Sequence, residues 1–154
     1  MNIISAESIE NAAEWISNLE KDEDIEKLID DFGETQPLLF TYLMMMGEED
    51  LNEEENELLL YLGLVIWKAA GNLAPVEHSV MEAIKAKNEK YLEALHVATE
   101  AEAENVLSEM EAATSQPAIF AFVSESIDEE SDWIRPANRG IMIFLLSVMI
   151  DCLS

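Results

Sequence analysis

From Ile9 onward the apolar positions recur at helical spacing almost without interruption. Ile9, Ala12, Ile16 and Leu19 share one face over about residues 6–20. Ile25, Leu28, Ile29 and Phe32 take the i, i+3, i+4, i+7 positions of a second helix, which Gly33 is placed to close in a left-handed conformation. Thr35 then stands as the cap of a third helix with Pro37 in its first turn, where a missing N–H costs nothing, and Gly47 marks its end. A fourth helix is expected from about Asn52 to Ala70, with Gly71 behind it. Val76, Val80, Ile84, Tyr91 and Leu95 stripe a fifth, and Ala103, Val106, Leu107 and Met110 a sixth. Ser115 and Pro117 open a seventh, and Pro136 opens an eighth that reaches the C-terminus. No segment alternates with period two, so the pattern predicts an all-α fold of about eight helices in a single domain, 1–154.

Within this pattern lies a repeat. "TQPLLFTYL" (35–43) and "SQPAIFAFV" (115–123) match at a spacing of 80: hydroxyl, Gln, Pro, two apolar positions, Phe, a small residue, an aromatic, an aliphatic. Each leads through an acidic connector into an apolar helix, "LLLYLGLVIW" (58–67) and "IMIFLLSVMI" (141–150), now at a spacing of 83. Two four-helix pseudo-repeats, 1–74 and 75–154, follow. One alone is small for a stable core, so stacking the two supplies the missing burial. The third helix is apolar at 38, 39, 40, 42, 43, 44, 45 and 46, which predicts burial on every side. Helices three, four, seven and eight should then form the centre, wrapped by the other four. A homodimer could close part of this surface but is not required, because eight helices supply enough cover.

Charge changes the picture most. Against 33 Asp and Glu stand 8 Lys and Arg, a net charge of −25. Direct contact with nucleic acid or an anionic membrane through a basic patch is therefore disfavoured, since each phosphate approached adds repulsion. With an apolar fraction of 49% the chain is nonetheless that of a folded domain. One cysteine, Cys152, rules out an internal disulfide and suits a reducing compartment. "MNIISAESIE" lacks the basic and apolar regions of a signal peptide, and the apolar runs 58–67 and 140–150 are shorter than the ~20 residues a bilayer span needs. The expectation is a soluble, cytoplasmic protein.

The candidate chemistry is concentrated in the connectors. Glu48, Glu49, Asp50, Glu53, Glu54, Glu55 and Glu57 straddle the start of the fourth helix; Asp128, Glu129, Glu130 and Asp132 precede the eighth. Acids at a helix N-terminus interact favourably with its dipole and keep an apolar hairpin from associating through its tip. Beyond that, two like-signed clusters at equivalent places suit a basic partner, steered in by charge. Small acidic helical immunity and nucleic-acid-mimic proteins share this character. A calcium loop does not fit: Asp50, Asn52 and Glu54 have the spacing of positions 1, 3 and 5, but position 6 is Glu55 and position 12 is Tyr61.

Arg135 and Arg139, spaced i, i+4, could grip an anionic ligand in fork geometry, although pairing with Asp128, Glu129, Glu130 and Asp132 is the plainer expectation. His78 and His96 face the same way on the fifth helix with Glu82, Glu89 and Glu93. Glu93 and His96 make a single E-x-x-H element where a di-iron site needs two, so a solvated face is expected and no metal or cofactor. Gln36 and Gln116 should cap their helices or bridge to a neighbour. Cys152 has no cation beside it in sequence to activate it. The sequence thus points to a non-catalytic interaction module for a basic partner. A helical module holding a small ligand or metal, between the repeats or near Arg135 and Arg139, comes second, and an enzyme third.

Overall fold

A computed structural model of the chain describes residues 3–71 and 73–154; the first two residues of the stretch read against a signal peptide lie outside it. The fold is all-α. The described residues form eight helices, α1 (Ala6–Ser17), α2 (Asp22–Thr35), α3 (Pro37–Asp50), α4 (Glu53–Ala70), α5 (His78–Val97), α6 (Glu100–Ala113), α7 (Pro117–Glu129) and α8 (Pro136–Leu153). Proline opens α3, α7 and α8, where its fixed φ suits the first turn and no donor is lost. Gly71, at φ +80°, closes α4 in a conformation that side chains with a Cβ rarely adopt.

Two apolar helices pack on each other at the centre. α4 and α8 are in contact; α3 lies on both, and α7 lies on α8. α1 covers α4 and α7, α2 covers α3 and α4, and α5 and α6 cover α8. Every residue of α8 from Gly140 to Ile150 is buried. That helix has the length and apolarity of a membrane span, with a mean hydropathy of 1.4, yet 72% of it is buried inside the bundle. It is a core helix, apolar all round because neighbours surround it.

Burial recurs at the spacings read from the sequence. Leu39 and Ile119, then Leu43 and Val123, are buried 80 residues apart; Leu59 and Met142, Leu62 and Leu145, and Ile66 and Met149 are buried 83 apart. Gln36 and Gln116, each 1% exposed, share nearly one backbone conformation, φ/ψ −133°/65° and −130°/74°. Neither caps its own helix. Gln36 instead accepts from the backbone N–H of Val76 (2.9 Å) and donates to the Ala74 carbonyl (2.9 Å), holding the chain as it enters α5. Gln116 accepts from the N–H of Ile4 (2.9 Å), holding the chain as it enters α1. The two glutamines thus fasten the chain at the entries of α5 and α1.

Five expectations are corrected. Gly33 does not stop α2, which runs to Thr35, and Thr35 spends its hydroxyl on the Asp31 carbonyl (2.8 Å) rather than capping α3. Gly47 lies inside α3; a Cβ there would collide with the Asn56 amide oxygen and come within 3.2 Å of Leu59, so its smallness lets α4 approach. α3 is not enclosed on every side, because α2, α4 and α8 leave Met45 60% exposed. Of the α5 stripe, Leu95 is buried and Val76, Ile84 and Tyr91 pack half-buried on the core as expected, but Val80 is 42% exposed, and Met81 and Asn88 are buried in addition.

Candidate functional site

The acidic run after α3 contains one residue unlike the rest. Asn52 caps α4, its side chain accepting from the Glu55 N–H (2.9 Å) while Glu55 Oε1 accepts from the Asn52 N–H (3.0 Å), a capping box. The same carboxylate reaches across to the cap of α8. Its Oε2 accepts from the Arg135 N–H (2.9 Å), and its Oε1 accepts from Arg135 Nη2 (2.9 Å) and Nε (3.3 Å) and from Asn138 Nδ2 (2.9 Å). Glu55 is 0% exposed. One buried carboxylate therefore receives the N-terminal donors of both central helices, where their positive dipole ends meet. Burial alone would raise its pKa; hydrogen bonds from Arg135, Asn52 and Asn138 outweigh that and hold it below the usual carboxylate range.

The tie brings the two acidic connectors together. Besides Glu55, the carbonyl of Asp50 accepts from Arg135 Nη2 (3.3 Å) and Asn138 Nδ2 (3.1 Å). Glu48, Glu49, Glu53, Glu54 and Glu57 are exposed on one side of this seam, with Asp50 half-buried. Asp128, Glu129 and Asp132 are exposed on the other, with Glu130 half-buried and accepting from the Trp133 indole N–H. Connectors some eighty residues apart in sequence thereby meet at one point. Among the described residues Glu48, Glu49, Glu53, Glu54, Glu57, Glu129 and Asp132 make no ion pair, so their charge faces solvent.

Two sequence assignments change here. Glu55 does not belong to the presented surface, because all its acceptor capacity is turned inward. Arg135 is not a free ligand-binding arginine, and its partner is Glu55, 80 residues earlier, rather than the acids just upstream. Arg139 does pair with Asp128, and also with Glu104 of α6. Burial would lower its pKa, but these two carboxylates raise it, so it stays charged and neutralised in place.

Beside Arg139 opens a cleft of about 860 Å³ between the α5–α6 turn, the end of α7 and the start of α8, with Asp50 at its edge. Leu107, Ile127, Ile134 and Ile141 form the floor; Glu100, Glu104 and Asp128 are among the charged groups of the wall. Gly140 lets Leu95 of α5 close one end, since a Cβ there would come within 2.8 Å of Leu95 Cδ2. His96 lies on the rim, whereas exposed His78 is 3.8 Å from Glu82 on the outer face of α5. Among the described residues no group of three or more His, Cys, Asp or Glu is placed to hold a metal ion.

Asn138 and Glu104 are the residues that sequence reasoning missed. Asn138 had a signal: it stands 83 residues after Glu55, at the same helix position. Glu104 had none, since its role comes from the packing of α6 beside α7 and α8. Compared with protein families, with curated proteins and with solved structures, the chain matches none.

Proposed function

We propose that this chain is a non-catalytic, cytoplasmic interaction module that binds a basic protein partner through the ridge built from its two acidic connectors. The observation that carries this reading is the convergence of those connectors at the Glu55–Arg135 tie, beside which carboxylates without an ion pair lie exposed. A preorganised, single-signed surface speeds encounter with a basic partner and rejects anionic ones. The alternative of an anionic small ligand at Arg135 or Arg139 loses support, because both guanidinium groups are already held by carboxylates. Nothing favours an enzyme: Cys152 is buried with its thiol pushed up to about 11 by burial and the nearby Asp151. The paired burial at spacings of 80 and 83 and the matching Gln36 and Gln116 support the further proposal that the halves 1–74 and 75–154 are copies of one unit.

The test compares capture of host proteins at low salt by three forms of the chain. In the ridge variant Glu48, Glu49, Glu53 and Glu54 become Gln; in a charge-matched control Glu7, Glu10, Glu23 and Glu26, on α1 and α2, do. Basic proteins held by the native chain and by the control, lost from the ridge variant and released at high salt, are the expected result. Equal loss from both variants would reduce the effect to net charge and defeat the proposal.

A further inference from the structure

We infer that the cleft beside Arg139 seats an amphipathic, basic helix of the partner, an inference that rests on the acidic-ridge reading and assigns it a docking point. The cleft adjoins the ridge and shares two of its residues, Asp50 and Asp128. Its wall carries four carboxylates, Asp50, Glu100, Glu104 and Asp128, against the single guanidinium of Arg139. Charge therefore selects a cation. The wall already shows which cation it accepts, since Glu104 and Asp128 together grip the Arg139 guanidinium, and the Asp50 carbonyl takes that of Arg135. Arginine suits such planar, forked recognition better than lysine does.

Charge alone would leave the occupant undefined, but apolar surface narrows it. Val97, 83% exposed, and Trp133, 38% exposed, are two of the six large apolar side chains exposed among the described residues. Both stand next in sequence to residues of the cleft, Val97 between His96 and Ala98 and Trp133 before Ile134. An occupant that covers them must offer apolar side chains alongside its cations. The cleft volume lies toward the upper end of ordinary ligand sites, room for several side chains. Its walls are helix ends, and no strand among the described residues offers an edge for an added strand. That excludes strand addition, and a helix laid into the groove, with apolar anchors at i, i+3, i+4 and i+7 and basic residues on its flanks, meets the combined apolar and cationic demand.

The probe is a synthetic peptide with leucines at those four positions and arginines on the flanks, titrated calorimetrically at low salt beside a scrambled peptide of equal composition. Four proteins are compared: the native chain, Ala137→Trp, which fills the cleft from an exposed position, Glu100→Lys, which inverts one wall charge, and the ridge variant. Circular dichroism establishes that each is folded. The patterned peptide is expected to bind the native chain at least about tenfold more tightly than the scrambled one, as a pocketed anchor does. Ala137→Trp and Glu100→Lys should each erase that difference, while the ridge variant weakens both peptides alike. Equal binding of the two peptides, or an unchanged patterned-peptide affinity in Ala137→Trp, overturns the cleft as the seat; ridge-dependent binding of both peptides would still leave the broader proposal standing. Full binding of both by the ridge variant removes the broader proposal instead. Spermidine that competes for the cleft as strongly as the patterned peptide overturns a helix as the occupant.

Discussion

Replacing Glu55 by Gln probes the seam on which the acidic ridge rests. The native carboxylate accepts five hydrogen bonds, from Asn52 N, Arg135 N, Nε and Nη2, and Asn138 Nδ2. An amide at that position keeps one acceptor and turns two donors toward groups that are themselves donors. Breaking a buried charge pair by removing one partner costs about 3–5 kcal/mol. Here the Arg135 side chain is 56% exposed and regains water, which discounts the cost to about 2–3 kcal/mol for Gln, at and below the lower end of that range, and to about 3–4 for Ala. That is a large share of the roughly 5–15 kcal/mol by which domains are stable. The sign of the pH dependence follows from the lowered pKa of Glu55. Its contribution is complete above the ordinary value of 4.5 and is lost as pH falls through the lower folded value. Urea unfolding followed by circular dichroism from pH 7 to pH 3 should therefore show Glu55→Gln less stable at neutral pH, with the gap narrowing in acid. A gap below about 0.5 kcal/mol at pH 7, the range of ordinary surface changes, would refute the reasoning. So would a gap that stays constant down to pH 3.

Gln36→Ala strips the Val76 N–H and the Ala74 carbonyl of their partner, at about 2–3 kcal/mol, and thermal unfolding should show the midpoint about 5–10 °C lower. Burial pushes the Asp151 carboxyl up, despite the hydrogen bond from Asn88 and the nearby Lys87, so its charge costs stability at neutral pH. Asp151→Asn should stabilise by up to about 1 kcal/mol at pH 7 in urea titrations, an advantage that fades as acid protonates the native residue. Cys152, 8% exposed with its thiol near 11, should resist iodoacetamide at pH 8 in the folded protein and react once urea unfolds it; mass spectrometry reads the difference, and prompt labelling of the native form contradicts it.

What the chain declares on its surface is its local periodicity, and the helices follow from it. Pro37, Pro117 and Pro136 mark three starts and Gly71 one stop, because fixed or positive φ acts within a turn. Gly33 and Gly47 misled because neither has a positive φ, and Gly47 is small for a reason of packing, since Asn56 and Leu59 press against it. On α5 the part of the inward face that was missed includes Asn88, which counts as polar. It is buried only because its amide donates to the Ile84 carbonyl (2.9 Å) and to Asp151 (3.2 Å), the second 63 residues away. Glu55 was hidden among six similar neighbours. Its spacing from Asn52 has the form of a capping box and sets it apart, but its hold on Arg135 lies beyond any local signal. The acidic residues of the ridge were legible as two clusters; their union was not, since it depends on α4 and α8 starting at one point.

Amide hydrogen exchange at Asn52 and Arg135, resolved by NMR, tests that shared start most directly. Both N–H groups donate to the same buried carboxylate, so both should exchange slowly, and both should lose protection together in Glu55→Ala. An Arg135 amide that exchanges as fast as an open loop in the native protein, or keeps its protection when Glu55 is removed, would show that the two connectors are not joined and that the ridge has no common base.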